Sequence, residues 1–358
     1  FRGMHAAKFR TAILGSVFAL VCFSGCTEKP RSRFWTAMDC NFDATIHGSG
    51  GRVAPEAALD TLQSMASRYE RLFTDYDPTG PLSALRGRKG DTIDLDPEIV
   101  IVLRQAIKVD RASGNSFDIG VHDLKRFWGI GDASPRVPPP DSVQLFLIRR
   151  FGFVPNPGDT LPDPVSILPD GRVALLTDSL PIDLGGIAKG YTVDKMSQRL
   201  TELGYPDHLI QGGGEIRASG RKRKGPWMIG IKNPRKTDTV VGVISLDSGS
   251  AVSTSGDYER FFFQDGVRYH HIFDPRTGSP ARGGTISVTL LCLTSLVCDG
   301  WSKPLFVLGP GRGRKLADSL GLQAFWVRET PQGPCSRKTD GWGRRLDAGS
   351  MSACPADW

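Results

Sequence analysis

The amino-acid sequence predicts an α+β fold, with mixed β-sheets and helices packed on them. Three observations carry this. Residues 55–73, the stretch from Asp96-Pro97 to Gly114, and the stretch after Gly185-Gly186 hold apolar side chains at helical spacing. Beyond Gly204 the chain is mainly short β-rich runs with turn residues between them. An apolar stretch, "LVCDGWSKPLFVLG" at 296–309, then returns to helix.

Taken in order, "MDCNFDATIHG" reads as a strand followed by a turn. The first helix places Ala58, Leu59, Leu62, Met65, Ala66, Tyr69, Leu72 and Phe73 on one side. The second starts at Asp96-Pro97, an N-cap acid followed by proline at the first helical position, and Gly114 stops it. Residues 131–141, "GDASPRVPPPD", read as a Pro-rich surface loop, and short strands are expected around 172–177. The third helix carries Ile187, Tyr191, Met196, Leu200 and Leu203 and ends at Gly204. "PWMIGIKNP", "VVGVISL", "RYHHIFDP" and "TISVTLLCL" follow as β runs. "RKRKG" at 221–225 reads as a solvated loop between strands, and no contact with nucleic acid is expected.

The chain has 358 residues, enough for two domains or one large one. Its 39% hydrophobic and 23% charged residues are globular proportions. No internal repeat or heptad run is visible, which excludes a solenoid or a coiled coil. The net charge of +7 is compatible with an anionic ligand or an anionic membrane surface and specifies neither. Lys8 and Arg10 precede the apolar run "TAILGSVFALVCFSG", too short for a comfortable membrane span and followed by Cys26. Residues 1–25 are therefore expected to be a signal peptide, and "FSGC" resembles a bacterial lipobox whose Cys26 is lipidated. A single lipidated cysteine would tether the domain to the outer face of a membrane. Of the seven cysteines, Cys335 and Cys354 lie near the C-terminus and could pair in an oxidising compartment, which the sequence leaves open. Cys40, Cys292 and Cys298 lack metal-ligand spacing and read as buried thiols.

Four stretches carry chemistry. "PIDLGGIAKGYTVDK" opens a helix with Gly185 and Gly186, and Lys189 stands on its first turn. That is either an anion site at a helix N-terminus or an ordinary Gly-opened helix. "LIQGGGEIRASG" ends a strand in three glycines, leaving room for a flat ligand or making a tight turn. "AVSTSGDYERFF" reads as a hydroxyl-rich turn between strands, whose Ser253, Thr254 and Ser255 either bind a ligand or cap the turn. In "YHHIFDPRTGSPA", His271 is either a general base or a structural histidine.

The succession "MDCNF", "SGNSFDIGVHDL", "DLGGIAKGYTVD", "GGGEIRASG", "WMIGIKNPR", "AVSTSGDYER", "HHIFDPRTGSPA", "CDGWSKPLFVLG" resembles the flavin transferase family of the ApbE type. The resemblance covers residues 34–330, leaving 26–33 as a linker and 331–358 as a C-terminal extension. It implies an ApbE-like fold that binds FAD and uses a divalent metal, usually Mg2+. It implies transfer of FMN, through a phosphoester bond, to a Thr or Ser hydroxyl of a target protein, with release of AMP. The implied acceptors include periplasm-facing flavin subunits of redox-driven pumps, which a membrane-tethered lipoprotein of the cell envelope would meet. Carried over residue by residue, His271 is a base or aligner of the acceptor hydroxyl. Asp299 is the metal-binding acid, joined by the backbone carbonyls of Gly186 and Ser302. Met38, Asp118, Gly185, Gly186, Lys189, Glu215, Thr254, Ser255, Gly256 and Ile272 fall on flavin- or nucleotide-contact motifs.

The chain departs from the pattern at several positions. The family's "MGT" is "MDC", with Asp39 and Cys40; Gly80 and Arg86 replace Ser and Asn; Gly120 lacks the usual hydroxyl. Four residues after Asp299, where the family has a metal-ligating Thr, stands Lys303. A charged lysine has three donors and no acceptor, so it cannot ligate magnesium. Helical spacing puts Asp299 and Lys303 on one face, with Pro304 loosening the turn. Two readings stay open. Either Lys303 supplies a metal's charge and transfer, weakened, proceeds with little or no metal; or catalysis is lost and a flavin-binding envelope lipoprotein remains. Hydrolysis of FAD to FMN and AMP is a further alternative.

Overall fold

The computed structural model describes residues 29–355, apart from 49, 121, 133, 157, 177–181, 223–224, 237 and 350. The expected signal peptide and Cys26 lie outside the described residues. The centre is an eight-stranded sheet in the order 31–37, 40–46, 208–212, 215–219, 251–256, 285–292, 323–328, 335–338. All neighbouring strands in it run antiparallel.

The α+β expectation and its helices are borne out. Helix α1 (Pro55–Phe73) buries the apolar face read from the sequence, and Thr74 leaves the helix in an extended conformation. Helix α2 (Pro97–Ala112) is capped by Asp96, whose side chain accepts from the Glu98 N–H. Gly114 follows with φ +62°, a left-handed exit that glycine adopts without a Cβ penalty. The short α3 (His122–Trp128) and α4 (Pro140–Phe151) were not read from the sequence. The second starts inside the stretch taken as a Pro-rich loop, because Pro140 sits at a first-turn position where its missing N–H costs nothing. Helix α5 (Ala188–Glu202) and helix α6 (Ser295–Ser319) pack on each other and across one face of the sheet. Within α6, Gly309 is non-helical (φ 63°) and Pro310 restarts the helix behind it.

A three-stranded sheet (227–232, 240–246 and 346–347) covers the other face. The strand Thr285–Cys292 is therefore buried along its whole length. Val288 and Leu290 enter the helix-side core, and Leu291 and Ile286 the other. The register shift between Thr285 and Ser287 accounts for Ile286 changing sides.

Four readings change. "AVSTSG" is a strand, Ala251–Gly256, inside the main sheet, not a turn between strands. Its small polar side chains are accommodated because neighbouring strands and α6 bond their hydroxyls. Cys292 and Cys298 are not thiols but form a disulfide, since the turn from strand into α6 brings their Cα atoms to 5.6 Å. The C-terminal stretch is integral to the fold: Cys335–Lys338 is an edge strand and Leu346–Asp347 pairs with Val240–Leu246. Cys335 pairs with Cys354, the pairing the sequence left open. At the other end the first strand begins at Arg31, within the stretch taken as a linker.

Candidate active site

The N-terminus of α5 meets the first turns of α6 almost backbone to backbone. A Cβ on Gly190 would lie 2.2 Å from the Ser295 carbonyl oxygen and 2.7 Å from Asp299 Cβ, so only glycine permits the approach. Gly190 N–H is one of the helix-start donors without an intrahelical partner, and it donates to Asp299 Oδ2 at 2.9 Å. One turn earlier, the Gly185 N–H donates to Asp183 Oδ1 at 2.8 Å, and Lys125 closes an ion pair with the same carboxylate.

Four charged groups converge beside this contact. Asp299 and Glu215 are buried, at 0% and 2% exposure, whereas the lysines keep part of their side chains in solvent. Lys303 Nζ bonds Asp299 Oδ1 and also donates to the Asp299 carbonyl at 3.1 Å. It lies 3.8 Å from Glu215 Oε1. Lys189 Nζ lies 3.8 Å from Glu215 Oε2 and 4.0 Å from Asp299 Oδ2, and donates to the Gly185 carbonyl at 2.9 Å. Burial opposes charge on Asp299, but Lys189 and Lys303 outweigh it and hold the carboxyl below its ordinary value. Burial and the charge of Asp299 push Glu215 up. Desolvation of its half-buried side chain opposes charge on Lys189, but Asp299 and Glu215 outweigh it and push its pKa up. Cys40, half-buried here, is pushed up to about 12 by desolvation and stays a thiol.

The donor set does not fit a divalent cation as it stands. Both Asp299 oxygens are engaged, Oδ1 by an ammonium and Oδ2 by a backbone N–H. Beside the expected carbonyl ligands of Gly186 and Ser302, Lys189 donates to the neighbouring Gly185 carbonyl, and the Ser302 hydroxyl donates to the Asp299 carbonyl at 2.9 Å. Among the described residues no three His, Cys, Asp or Glu side chains converge as a metal site. Hard cations need several oxygen ligands, and the Lys303 ammonium stands on Asp299 where the family's pattern has a ligating Thr.

His271 Nδ1 lies 3.3 Å from the Arg260 carbonyl, which can only accept, so Nδ1 carries the proton and Nε2 keeps its lone pair. Burial pushes its pKa down to about 3, assisted by Lys125, His270 and Arg260. The same Arg260 donates to the Asp39 carbonyl at 3.1 Å. Lys125 and Arg260 act electrostatically on His271, and Arg260 also on Lys189, so the neutral imidazole and the charged cluster belong to one region.

Comparison with known proteins decides the family. The ApbE family profile matches residues 38–326. The chain belongs to the ApbE family. It is 33% identical over 330 residues to the FAD:protein FMN transferase of Vibrio cholerae, covering 89% of this chain and 94% of that protein. It is 32% identical over 247 residues to that of Haemophilus influenzae, covering 67% and 69%. Among solved structures, the ApbE protein of Thermotoga maritima superposes with a TM-score of 0.77 at 28% identity, covering 88% of this chain and 99% of the other.

Within this ApbE fold the other expected site residues fall into two groups. Met38 and Asp39 form the two-residue turn of the first hairpin, both with positive φ (51° and 55°), as a type I′ turn requires. This explains why glycine suits position 39 and why aspartate, tolerant of that conformation, can replace it. The Met38 N–H donates to Glu70 Oε1 at 2.8 Å. Ser255 donates to Ser302, and Ser253 to Glu215, so the Ala251–Gly256 strand buttresses the charged cluster. Thr254 instead bonds Thr289 on the neighbouring strand. Gly256 abuts the Tyr258 ring, and Gly186 packs against Phe117. The structure does not bring Asp118 and Ile272 into the cluster. Asp118 is buried against Arg150, two contacts of 3.1 Å, and Ile272 is a core residue.

Sequence reading missed Lys125, Asp183 and Arg260. Asp183 stands in the quoted "PIDLGG" and could have been found there as a carboxylate two residues ahead of a helix start. Lys125 and Arg260 sit in helix and turn stretches where a solvated charge looks the same.

Proposed function

We propose that this chain transfers FMN from FAD to a Thr or Ser hydroxyl of an acceptor protein and releases AMP. The pairing of Lys189 and Lys303 with Asp299 and Glu215, in the region where Lys125 and Arg260 act on the neutral His271, carries the reading. The acceptor oxygen attacks the phosphorus of the FMN half and forms the new P–O bond. The bond from that phosphorus to the bridging oxygen breaks, and AMP leaves with the oxygen and its electron pair. The hydroxyl proton passes to His271 Nε2. The negative charge of a bound pyrophosphate raises the low affinity of that imidazole for a proton. Lys189 and Lys303 stabilise the charge that gathers on the departing phosphate.

FAD as substrate accords with the named activity of the relatives. The magnesium implied by the resemblance is left out of the reading, because Lys303 and Gly190 already occupy Asp299. The proposal extends to location: a lipoprotein held through Cys26 at the outer face of a membrane, acting on the flavin subunit of a redox-driven pump or a similar envelope protein. The basic, apolar and "FSGC" leader supports this, as do two disulfides, which persist in oxidising compartments.

Incubation with FAD and an acceptor protein bearing a target Thr tests the activity. Covalent flavin fluorescence in the acceptor, matched by equimolar AMP, is expected. AMP without labelling indicates hydrolysis, and retention of FAD with neither product overturns the transferase reading.

A further inference from the structure

We propose that the Lys303 ammonium holds the cation position of the site permanently, so that FMN transfer by this chain needs no divalent ion. The inference rests on the transferase reading for its chemistry, but its structural half stands separately.

The geometry points this way in three respects. First, the cluster needs no added cation for balance: the two ammonium groups of Lys189 and Lys303 at least match the charge of Asp299 and Glu215. A dication added to it leaves unbalanced positive charge in a buried setting, where it is disfavoured. Second, Lys303 is anchored rather than loose. It sits four residues from Asp299 on the same helix and bonds both the Asp299 carboxylate and the Asp299 carbonyl. The carboxylate is itself fixed from its other oxygen by the Gly190 N–H. Third, an ammonium has three donors, and these bonds use two. Glu215 Oε1, at 3.8 Å, is beyond hydrogen-bond range of the third. That donor is available to a non-bridging phosphate oxygen, the contact a metal would otherwise make. The side chain is 20% exposed, so its tip is accessible from the cleft.

The step remains balanced without a metal. The P–O bond to the acceptor forms, the P–O bond to the AMP oxygen breaks, and the proton goes to His271. Lys303 donates a hydrogen bond to the departing phosphate and keeps its own proton. One positive charge replaces two, so transfer is slow compared with a metal-assisted reaction.

The test pairs cation binding with activity. Free Mn2+ is titrated by electron paramagnetic resonance against metal-stripped wild-type protein and Lys303→Thr, and AMP release is measured in EDTA and in millimolar Mg2+. Wild-type protein is expected to take up no Mn2+ below millimolar concentration, and its AMP release to change less than twofold between EDTA and Mg2+. Lys303→Thr is expected to bind one Mn2+ and to release AMP at least tenfold faster with Mg2+ than in EDTA. Stoichiometric Mn2+ uptake by the wild type, or loss of its AMP release in EDTA, overturns the proposal. So does a folded Thr variant that binds no Mn2+, since Lys303 is then not what excludes the ion. Should the variant fail to fold, the wild-type measurements decide alone. If neither protein forms AMP or labelled acceptor in any condition, the transferase reading fails, while the Mn2+ titration still decides what occupies the cation position.

Discussion

His271 is tied through Nδ1 to the Arg260 carbonyl, and its surroundings hold the ring neutral far below the ordinary histidine value. Since kcat/KM reports ionisations of the free enzyme, its acid limb for AMP release is expected well below pH 6.5. A limb centred near 6.5 that vanishes in His271→Gln would contradict the assignment. His208 offers a stability counterpart. It is fully buried between Ser197 and the Tyr205 carbonyl, and burial pushes its pKa down to about 4. The unfolded chain therefore binds this proton first as pH falls through 6.5, and the folded state only near 4. Its contribution is undiminished above 6.5 and is lost across that window, by about 3 kcal/mol. Urea unfolding between pH 7 and 4 should show the decline, with a shallower slope in His208→Asn. At this scale the resemblance of the motifs named His271, Asp299, Lys189 and Glu215 as candidates, and Lys303 as the departure among them. The pairing of Asp118 with Arg150 was not foreseen, because Arg150 lies 32 residues away on α4, a helix hidden behind a Pro-rich reading.

Helices α5 and α6 place the site by direct contact at Gly190. Gly190→Ala puts a methyl group against the Ser295 carbonyl and Asp299, and neither backbone nor buried carboxylate yields cheaply. The expected cost is about 1–3 kcal/mol in stability. AMP release should fall more than tenfold, because the two helices carry Lys189 and Lys303. A variant with wild-type activity and unaltered melting temperature would refute the close approach. Periodicity revealed α1, α2 and α5, each with a long apolar face and a cap or glycine stop. It missed α3, only seven residues long, and misread Ala251–Gly256, where serines and threonines imitate a turn. Those hydroxyls prefer a central strand here only because Glu215, Thr289 and Ser302 supply partners from elsewhere in the chain.

Across the whole molecule, the C-terminal residues complete both sheets and are stapled by the Cys335–Cys354 disulfide. The bridge spans 19 residues, a loop for which closure entropy gives roughly 3 kcal/mol. The Cys335→Ser, Cys354→Ser double variant should unfold at correspondingly lower denaturant, while retaining FAD-dependent AMP release because the bridge joins segments remote in sequence from every site residue. Equal stability of the two proteins would show that the bridge closes nothing the fold does not already hold.

The order of motifs along the chain determined the family and the α+β class and supplied the candidate groups of the site, because glycines at helix starts and carboxylates at fixed spacings are properties of local sequence. Folding alone decided which of those groups meet. Glu215, Lys189, Asp299 and Lys303 lie on one strand and two helices, and their charge pairing exists only once Gly190 lets those helices touch. Charge compensation is a matter of a few ångströms, and sequence separation does not encode it.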